Sequence, residues 1–354
     1  MNKRIQLFEE SLTLLKSMVC IPSFSREESG TAALIVQFFD NKGIKSYRKG
    51  NNVWAYNKYY DAQKPTILLN SHHDTVKPNT GYLKDPYSAD IVEGKLFGLG
   101  SNDAGGCLVS LIAVFLHFYD NKNLKYNFCL AASAEEEVSG SNGIESIISE
   151  LGSLDFAIVG EPTLMDLAIA EKGLMVLDCT AHGQAGHAAR EEGENALYKA
   201  IEDINWFKSY QFDRVSKKLG PIKMSVTMIQ CGAQHNVVPA TCDFVVDVRT
   251  TDAYSNEETL NIIKNSVQSE IKARSTRLSS SSIPENHPLV LSGLSLGKKT
   301  YGSPTMSDQA LLRIPSVKMG PGFSGRSHMA DEFIYVDEIK NGIDEYIAIL
   351  EKIL

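Results

Sequence analysis

Several things are missing from this sequence, and each absence narrows its class. No tract of Lys and Arg occurs, and 35 basic against 43 acidic side chains give a formal charge of −8. Nucleic acid and anionic membranes are therefore excluded as principal partners. The six cysteines (20, 107, 129, 179, 231 and 242) form no CxxC pair and sit mostly in apolar runs. They read as reduced core residues, not as a disulfide framework. Long hydrophobic runs are lacking too. The longest, Cys107 to Phe118, is about a dozen residues and contains His117, whereas a membrane span needs roughly 20. Glu9 and Glu10 interrupt what would be the apolar part of a signal peptide, so a cytoplasmic location is expected. There is no internal repeat, and Ser275–Ile283 is the one low-complexity patch.

What is present is ordinary globular material: 43% hydrophobic and 22% charged residues over 354 positions, enough for two domains. Ile5, Phe8, Leu12, Leu15 and Val19 repeat at helical spacing. Ser25 and Glu28 suggest a capping box for a helix that stops near Gly43. Val53–Tyr56, Thr66–Asn70, Asn127–Ala132 and Phe156–Val159 are apolar on both faces, as strands inside a parallel sheet are. The buried helix 104–119 falls between two of them. This is a doubly wound, mostly parallel α/β pattern.

After about Gly173 the texture changes. Ile222, Met224, Val226 and Met228 alternate with polar residues, as do Phe244, Val246 and Val248, which predicts strands with one wet face. Helices are expected at 194–210 and at 256–271, the second with Ser255 and Glu258 as a capping box. The order βαββαβ implies a ferredoxin-like domain, inserted as a lid or dimerisation module. Val317–Met319 then reads as a strand of the first texture, and Asp337 as the cap of a helix running to Leu354. The expected domains are 1–172 with 284–354, and 173–283.

Ligands collect at the carboxyl ends of strands in open α/β sheets, and here those ends are crowded. Thr66–Asn70 runs into Ser71-His72-His73-Asp74, and Asn127–Ala132 into Glu135-Glu136-Glu137. Phe156–Val159 runs into Gly160-Glu161-Pro162, and Val317–Met319 leads to Ser327-His328. Asp103 stands where the buried helix begins. Taken singly, each is an ordinary surface or core residue. Carboxylates at the ends of three buried strands, with a histidine after the fourth, however, are costly unless something positive meets them. Two His with three carboxylates is an N/O donor set suited to zinc, cobalt or manganese. Five such ligands serve two ions if one carboxylate bridges, leaving the centre near neutral and able to ionise a water near pH 7.

These motifs resemble the dinuclear-zinc aminoacylase and deacetylase metallopeptidase superfamily, closest in texture to acetylornithine deacetylase and succinyl-diaminopimelate desuccinylase. The residues that carry the resemblance are Asn70–Val76, Gly98–Asp103, Glu135–Glu137, Val159–Thr163, Gly186–Ala189 and Ser327-His328. They span nearly the whole chain in the family's order. Two departures stand out: Ser71 and Lys77 replace the usual Gly and Pro of the first motif. The acidic motif has three glutamates, and Val138-Ser139-Gly140 after it sets the register.

The resemblance implies that Asp103 bridges two divalent ions, zinc with cobalt able to substitute. His72 and Glu161 would complete one site, Glu137 and His328 the other, with Glu136 as general base. Asp74, two residues beyond His72 in an extended segment, would hold the imidazole in its ligating tautomer. A cis peptide is expected at Asp103–Ala104. His187 would reach a partner subunit's active site and stabilise the oxyanion, making a homodimer through the inserted domain the working form. Arg249 with Asn236 would contact the substrate carboxylate. Lys172 and the backbone of Gly320 and Gly322 are further candidates for substrate contact.

The implied reaction is hydrolysis of an N-acyl amino acid, N2-acetyl-L-ornithine first, as in arginine biosynthesis. N-acetyl or N-succinyl citrulline or ornithine, succinyl-diaminopimelate, and a dipeptide are the alternatives. A dinucleotide-binding enzyme is rejected because Asp103 stands where a phosphate loop needs its third glycine. A serine hydrolase is rejected because Ser139-Gly140-Ser141-Asn142-Gly143 lacks the first glycine of the nucleophile elbow. A catalytically dead scaffold would be expected to lack a ligand or the base, and all six positions are filled.

Overall fold

A computed structural model of the chain describes residues 3–190 and 192–354. Its main helices are α1 (Lys3–Val19), α2 (Ser29–Asp40), α3 (Gly106–Phe118), α4 (Ala196–Ser209), α5 (Asn256–Lys264), α6 (Pro288–Ser295) and α7 (Val336–Glu351). Its main strands are β1 (Ser46–Lys49), β2 (Asn52–Tyr56), β3 (Thr66–His72), β4 (Asn127–Ser133), β5 (Phe156–Val159) and β6 (Leu167–Glu171). They continue with β7 (Gly173–His182), β8 (Lys223–Cys231), β9 (Thr241–Thr250), β10 (Glu270–Ala273) and β11 (Ser316–Lys318). Contacts divide the chain into two units, Met1–Ile169 with Ser282–Tyr301 and Ser307–Leu354, and Ala170–Ser281 with Gly302–Met306.

The first unit is built on a sheet in the order β1-β2-β4-β3-β5-β11-β6. Its centre is parallel: β3 runs beside β4 and β5, and β5 beside β11. Every residue of β3 and β4 is buried, which explains their unbroken apolar character. β2, expected among the parallel strands, instead runs antiparallel to both β1 and β4. The cause is local: Gly50, at φ +59°, closes a two-residue hairpin turn that brings Lys49 opposite Asn52. The apolar helix α3 packs on β3 and β4 and against α1 and α7, and all but two of its side chains are buried. It is a core helix.

Two helix signals resolve differently from the sequence reading. Ser25 does not cap α2; its hydroxyl donates to Asp74 Oδ2 at 2.7 Å. Glu28 is instead buried, accepting from the backbone N–H of Arg26 and Glu135. At the other end Asp337 lies inside the first turn of α7, where Glu338 accepts from the N–H of Tyr335 at 3.1 Å.

The second unit has the βαββαβ order, with an antiparallel sheet β8-β9-β7-β10. Its own core gathers Met175, Leu177, Phe244, Val246, Val248 and Phe207. The capping box at Ser255 and Glu258 forms. Yet α5 ends at Lys264, short of the expected 271, because the buried Asp203 carboxylate takes the N–H groups of Gln268 and Ser269. That turns the chain, and β10 pairs with β7. The alternation expected along 222–228 also breaks. A bulge between Val226 and Met228 shifts the register, and Met228 and Ile229 are both exposed.

Candidate metal centre

In the first unit the carboxyl ends of the parallel strands bring six of the expected residues together. His72 is the last residue of β3. Its Nδ1–H donates to the main-chain oxygen of Asp74 at 3.0 Å, which leaves the Nε2 lone pair free. Nε2 is buried without a hydrogen-bond partner. It faces Asp103 Oδ1 at 3.4 Å, Glu161 Oε1 at 3.7 Å and Glu136 Oε2 at 4.0 Å.

Asp103 turns its second oxygen the other way. Oδ2 lies 3.8 Å from His328 Nε2, and that nitrogen is 2.9 Å from Glu137 Oε2. One carboxylate thus stands between two imidazoles, each with a further glutamate. Candidate ligand atoms of His72, Asp103 and Glu137, and of His72, Glu136 and Glu161, each lie within 4.8 Å of one another. The peptide Asp103–Ala104 is cis, as expected.

The electrostatics demand positive charge here. Burial works against a charged His72, but Asp103, Asp74, Glu136 and Glu161 hold its pKa well above the usual imidazole range. Burial pushes Glu136 well up, helped by repulsion from Glu161, Asp308 and Glu137. Burial likewise raises Glu161 to about 8, with Asp103 adding to it. The hydrogen bond to Glu137 carries His328 up to about 9. An orphaned buried nitrogen amid crowded carboxylates is the signature of a cation site. The donor set fits two divalent ions of the zinc type.

The surrounding loops are conformationally unusual. Glu135 (φ +55°), Ser139 (φ +47°), His328 (φ +60°) and Asp331 (φ +53°) all adopt left-handed backbone. Such positions cost of order 1 kcal/mol or more and cluster at functional sites.

Some expected roles are placed differently. The main-chain oxygen of Asp74, and not its carboxylate, is the nearer partner of His72; the carboxylate stands 3.5 Å away. Asp74 Oδ1 and Oδ2 instead accept from the N–H groups of Glu136 and Glu137, each at 3.1 Å. Gly320 does not offer a free N–H, since it donates to Thr163 Oγ1 at 3.1 Å. A Cβ there would meet Cys107 Sγ at 2.6 Å and Glu161 O at 2.7 Å, so this glycine serves packing. A Cβ on Gly322 (φ +89°) would likewise meet Asn102 Oδ1 at 2.5 Å. Arg326 is tied to both oxygens of Glu338.

Four expected residues belong to the second unit. His187 is exposed and pairs with Val237 in a short ribbon, next to which Ala188 N–H donates to Asn236 O. Arg249 is half-buried, but Asp247 holds its guanidinium at 2.8 and 3.0 Å. Lys172 Nζ donates to Pro221 O at 2.7 Å. Burial lowers its pKa, with Lys223 and Arg249 contributing.

The profile of peptidase family M20/M25/M40 matches residues 68–352. The chain belongs to that family. Among its M20 relatives, a succinyl-diaminopimelate desuccinylase from Wolbachia pipientis is 27% identical over 272 residues. That match covers 71% of this chain but only 66% of the relative. A probable carboxypeptidase from Paracoccidioides lutzii is 25% identical, covering 96% of this chain and 84% of the relative. A tripeptidase structure from Staphylococcus aureus superposes with TM-score 0.79 at 18% identity, covering 97% and 98% of the two chains. A dinuclear metal-binding M20 peptidase from Bacillus subtilis gives 0.72 at 16%, covering 98% of each. The chain is thus a member of a peptidase family on a known fold.

Two supporting residues escaped the sequence reading. Glu332 accepts from the backbone N–H groups of Asn102 and Asp103. Asp308, raised to about 6 chiefly by burial, receives the Ser133 hydroxyl at 2.5 Å and the Asn70 amide at 3.1 Å. Both sit in polar stretches, Ala330-Asp331-Glu332 and Met306-Ser307-Asp308, that look like solvated loops.

Proposed function

We propose that this M20 hydrolase cleaves the amide bond of an N-acyl amino acid at two divalent ions held by His72, Asp103, Glu137, Glu161 and His328. The observation that carries the reading is the placement of Asp103, with one oxygen toward His72 and the other toward His328. Two such ions, zinc or cobalt, would lower the pKa of a water from about 15.7 to about 7 and polarise the substrate carbonyl.

The chain's own residues do the rest. Glu136, anchored through its N–H on Asp74, takes the proton of the attacking water. The water oxygen adds to the carbonyl carbon, the C–N bond breaks, and Glu136 returns the proton to the departing nitrogen. Water and amide become carboxylic acid and amine, with no other reactant. His187 stabilises the oxyanion from a second copy of the chain. In support of such a dimer, β8 is an open sheet edge carrying exposed Met228 and Ile229. Arg249, with Asn236 and Lys172, meets the substrate carboxylate, which shares or replaces Asp247 on the guanidinium.

N2-acetyl-L-ornithine is the leading substrate, with N-acetyl or N-succinyl ornithine and citrulline and succinyl-diaminopimelate behind it. A dipeptide is the second reading. It is favoured by exposed Val138 and Met329, which adjoin Glu137 and His328 and suit an apolar side chain. Relative kcat/KM for N-acetyl and N-succinyl ornithine and citrulline, with dipeptides alongside, tests the order. A tenfold preference, about 1.4 kcal/mol, for an acyl-ornithine or acyl-citrulline supports the deacylase. Turnover of dipeptides alone overturns it in favour of the second reading.

A further inference from the structure

The segment that carries His328 also carries a carboxylate with no place in the reaction. Glu332 is 2% exposed, four residues after His328. Its Oε1 accepts two backbone donors, Asn102 N–H at 2.8 Å and Asp103 N–H at 2.9 Å. Its main-chain oxygen accepts a third, from Gly98 at 2.9 Å. Asn102 returns the contact: its side chain donates to Phe323 O at 3.2 Å and accepts from Phe323 N at 3.1 Å. The loop 98–103, ending in Asp103, is therefore stitched to segment 323–332, which holds His328. Asp103 begins a stretch of non-helical backbone (φ −120°, ψ 96°), spanned by the bonds from Gly105 N–H to Gly100 O at 2.9 Å and from Gly106 N–H to Ser101 O. The Asp103 N–H itself is held from outside that turn, by Glu332.

We propose that Glu332 is a positioning residue of the metal centre: by fixing the Asn102–Asp103 backbone against the His328 segment, it sets the angle at which Asp103 faces its two imidazoles. The inference rests on the dinuclear reading above. Buried carboxylates are costly to place, and a residue needed only to fill this space could be apolar. What the geometry uses is an acceptor oxygen at one point, since both side-chain hydrogen bonds end on the same atom. Outer contacts of this kind typically change metal affinity by 10–100-fold when removed.

The reach of the side chain and its charge can be separated. Glu332→Gln retains the reach and an acceptor oxygen but loses the charge. Glu332→Asp retains the charge and withdraws the oxygen by one methylene. We expect Glu332→Gln to bind zinc within about threefold of wild type, and Glu332→Asp to bind at least tenfold more weakly in chelator competition. The visible spectrum of cobalt-loaded Glu332→Asp should shift, and its kcat should fall more than its KM rises. Glu332→Ala should follow Glu332→Asp if it folds, but the Asp and Gln pair carries the test. Wild-type affinity and spectrum in Glu332→Asp would overturn the inference, as would equal impairment of both variants. Wild-type protein that binds no metal would instead overturn the dinuclear reading, so the two failures are distinct.

Discussion

His72 Nδ1 lies 3.0 Å from the main-chain oxygen of Asp74, two residues further along the same extended segment. That single contact selects the tautomer of the imidazole and aims its free nitrogen at Asp103, Glu161 and Glu136. The side chain of Asp74 is thereby released for another task, holding the backbone of Glu136 and Glu137. One short stretch orients His72 and the backbone of Glu136 and Glu137, the proposed ligands and proton-transfer residue.

Glu136→Gln should retain two metal ions per chain while kcat falls by roughly 10²–10⁴-fold, the usual worth of a general base. Asp103→Ala should lose metal outright. Elemental analysis of both dialysed proteins, beside their turnover numbers, checks the division of roles. A metal-loaded Glu136→Gln protein with full activity contradicts it.

Removing the Asp74 carboxylate leaves the N–H groups of Glu136 and Glu137 without their acceptor. Asp74→Ala should therefore lower kcat by about 10–100-fold while His72, held by the main chain of residue 74, still binds metal. If the carboxylate mattered only through His72, metal affinity would fall and kcat of the fully loaded variant would not. Steady-state kinetics at saturating zinc separates these outcomes.

The proposed sharing of an active site between two copies makes complementation measurable. Glu136→Gln and His187→Ala homodimers should each be inactive, and mixing them after dissociation should restore up to about a quarter of wild-type activity. That estimate takes half of the random dimers as hybrids, each with one intact site. Absence of any recovery, with hybrids shown to form, would remove His187 from the partner's site.

Acid sensitivity should have a contribution far from the metal centre. His287 caps α6 through Nδ1, which accepts from Leu289 N–H at 3.2 Å, and burial holds its pKa below the usual imidazole value. A depressed folded-state pKa contributes stability that is present above about 6.5 and is lost as pH falls through the lower value. His287→Asn supplies a cap that does not titrate. Its melting temperature should lie near wild type at pH 7.5 and gain on wild type at pH 5. A constant difference across that range would show that His287 does not titrate in this way.

The cluster of candidate ligands was legible because its residue types are rare at the ends of buried strands, and four strand ends showed them together. The parallel centre of the sheet was equally plain in the unbroken apolar runs of Thr66–Asn70 and Asn127–Ala132. What the sequence hid depended on distant approach. Glu332 meets Asn102 and Asp103 across some 230 residues, and no local pattern marks it. Asp203 ends α5 from another helix. The Asp247–Arg249 pair was different. Two residues apart on a strand, the two side chains share a face, so the competition for the guanidinium could have been foreseen.

The most direct test of a two-ion amidohydrolase is to titrate zinc into chelator-stripped protein and follow hydrolysis of N2-acetyl-L-ornithine, or whichever acyl amino acid is cleaved fastest. Activity should be absent at the start and reach its plateau at two equivalents of zinc per chain. Hydrolysis that persists in the stripped protein, or zinc that binds without restoring it, would contradict the account.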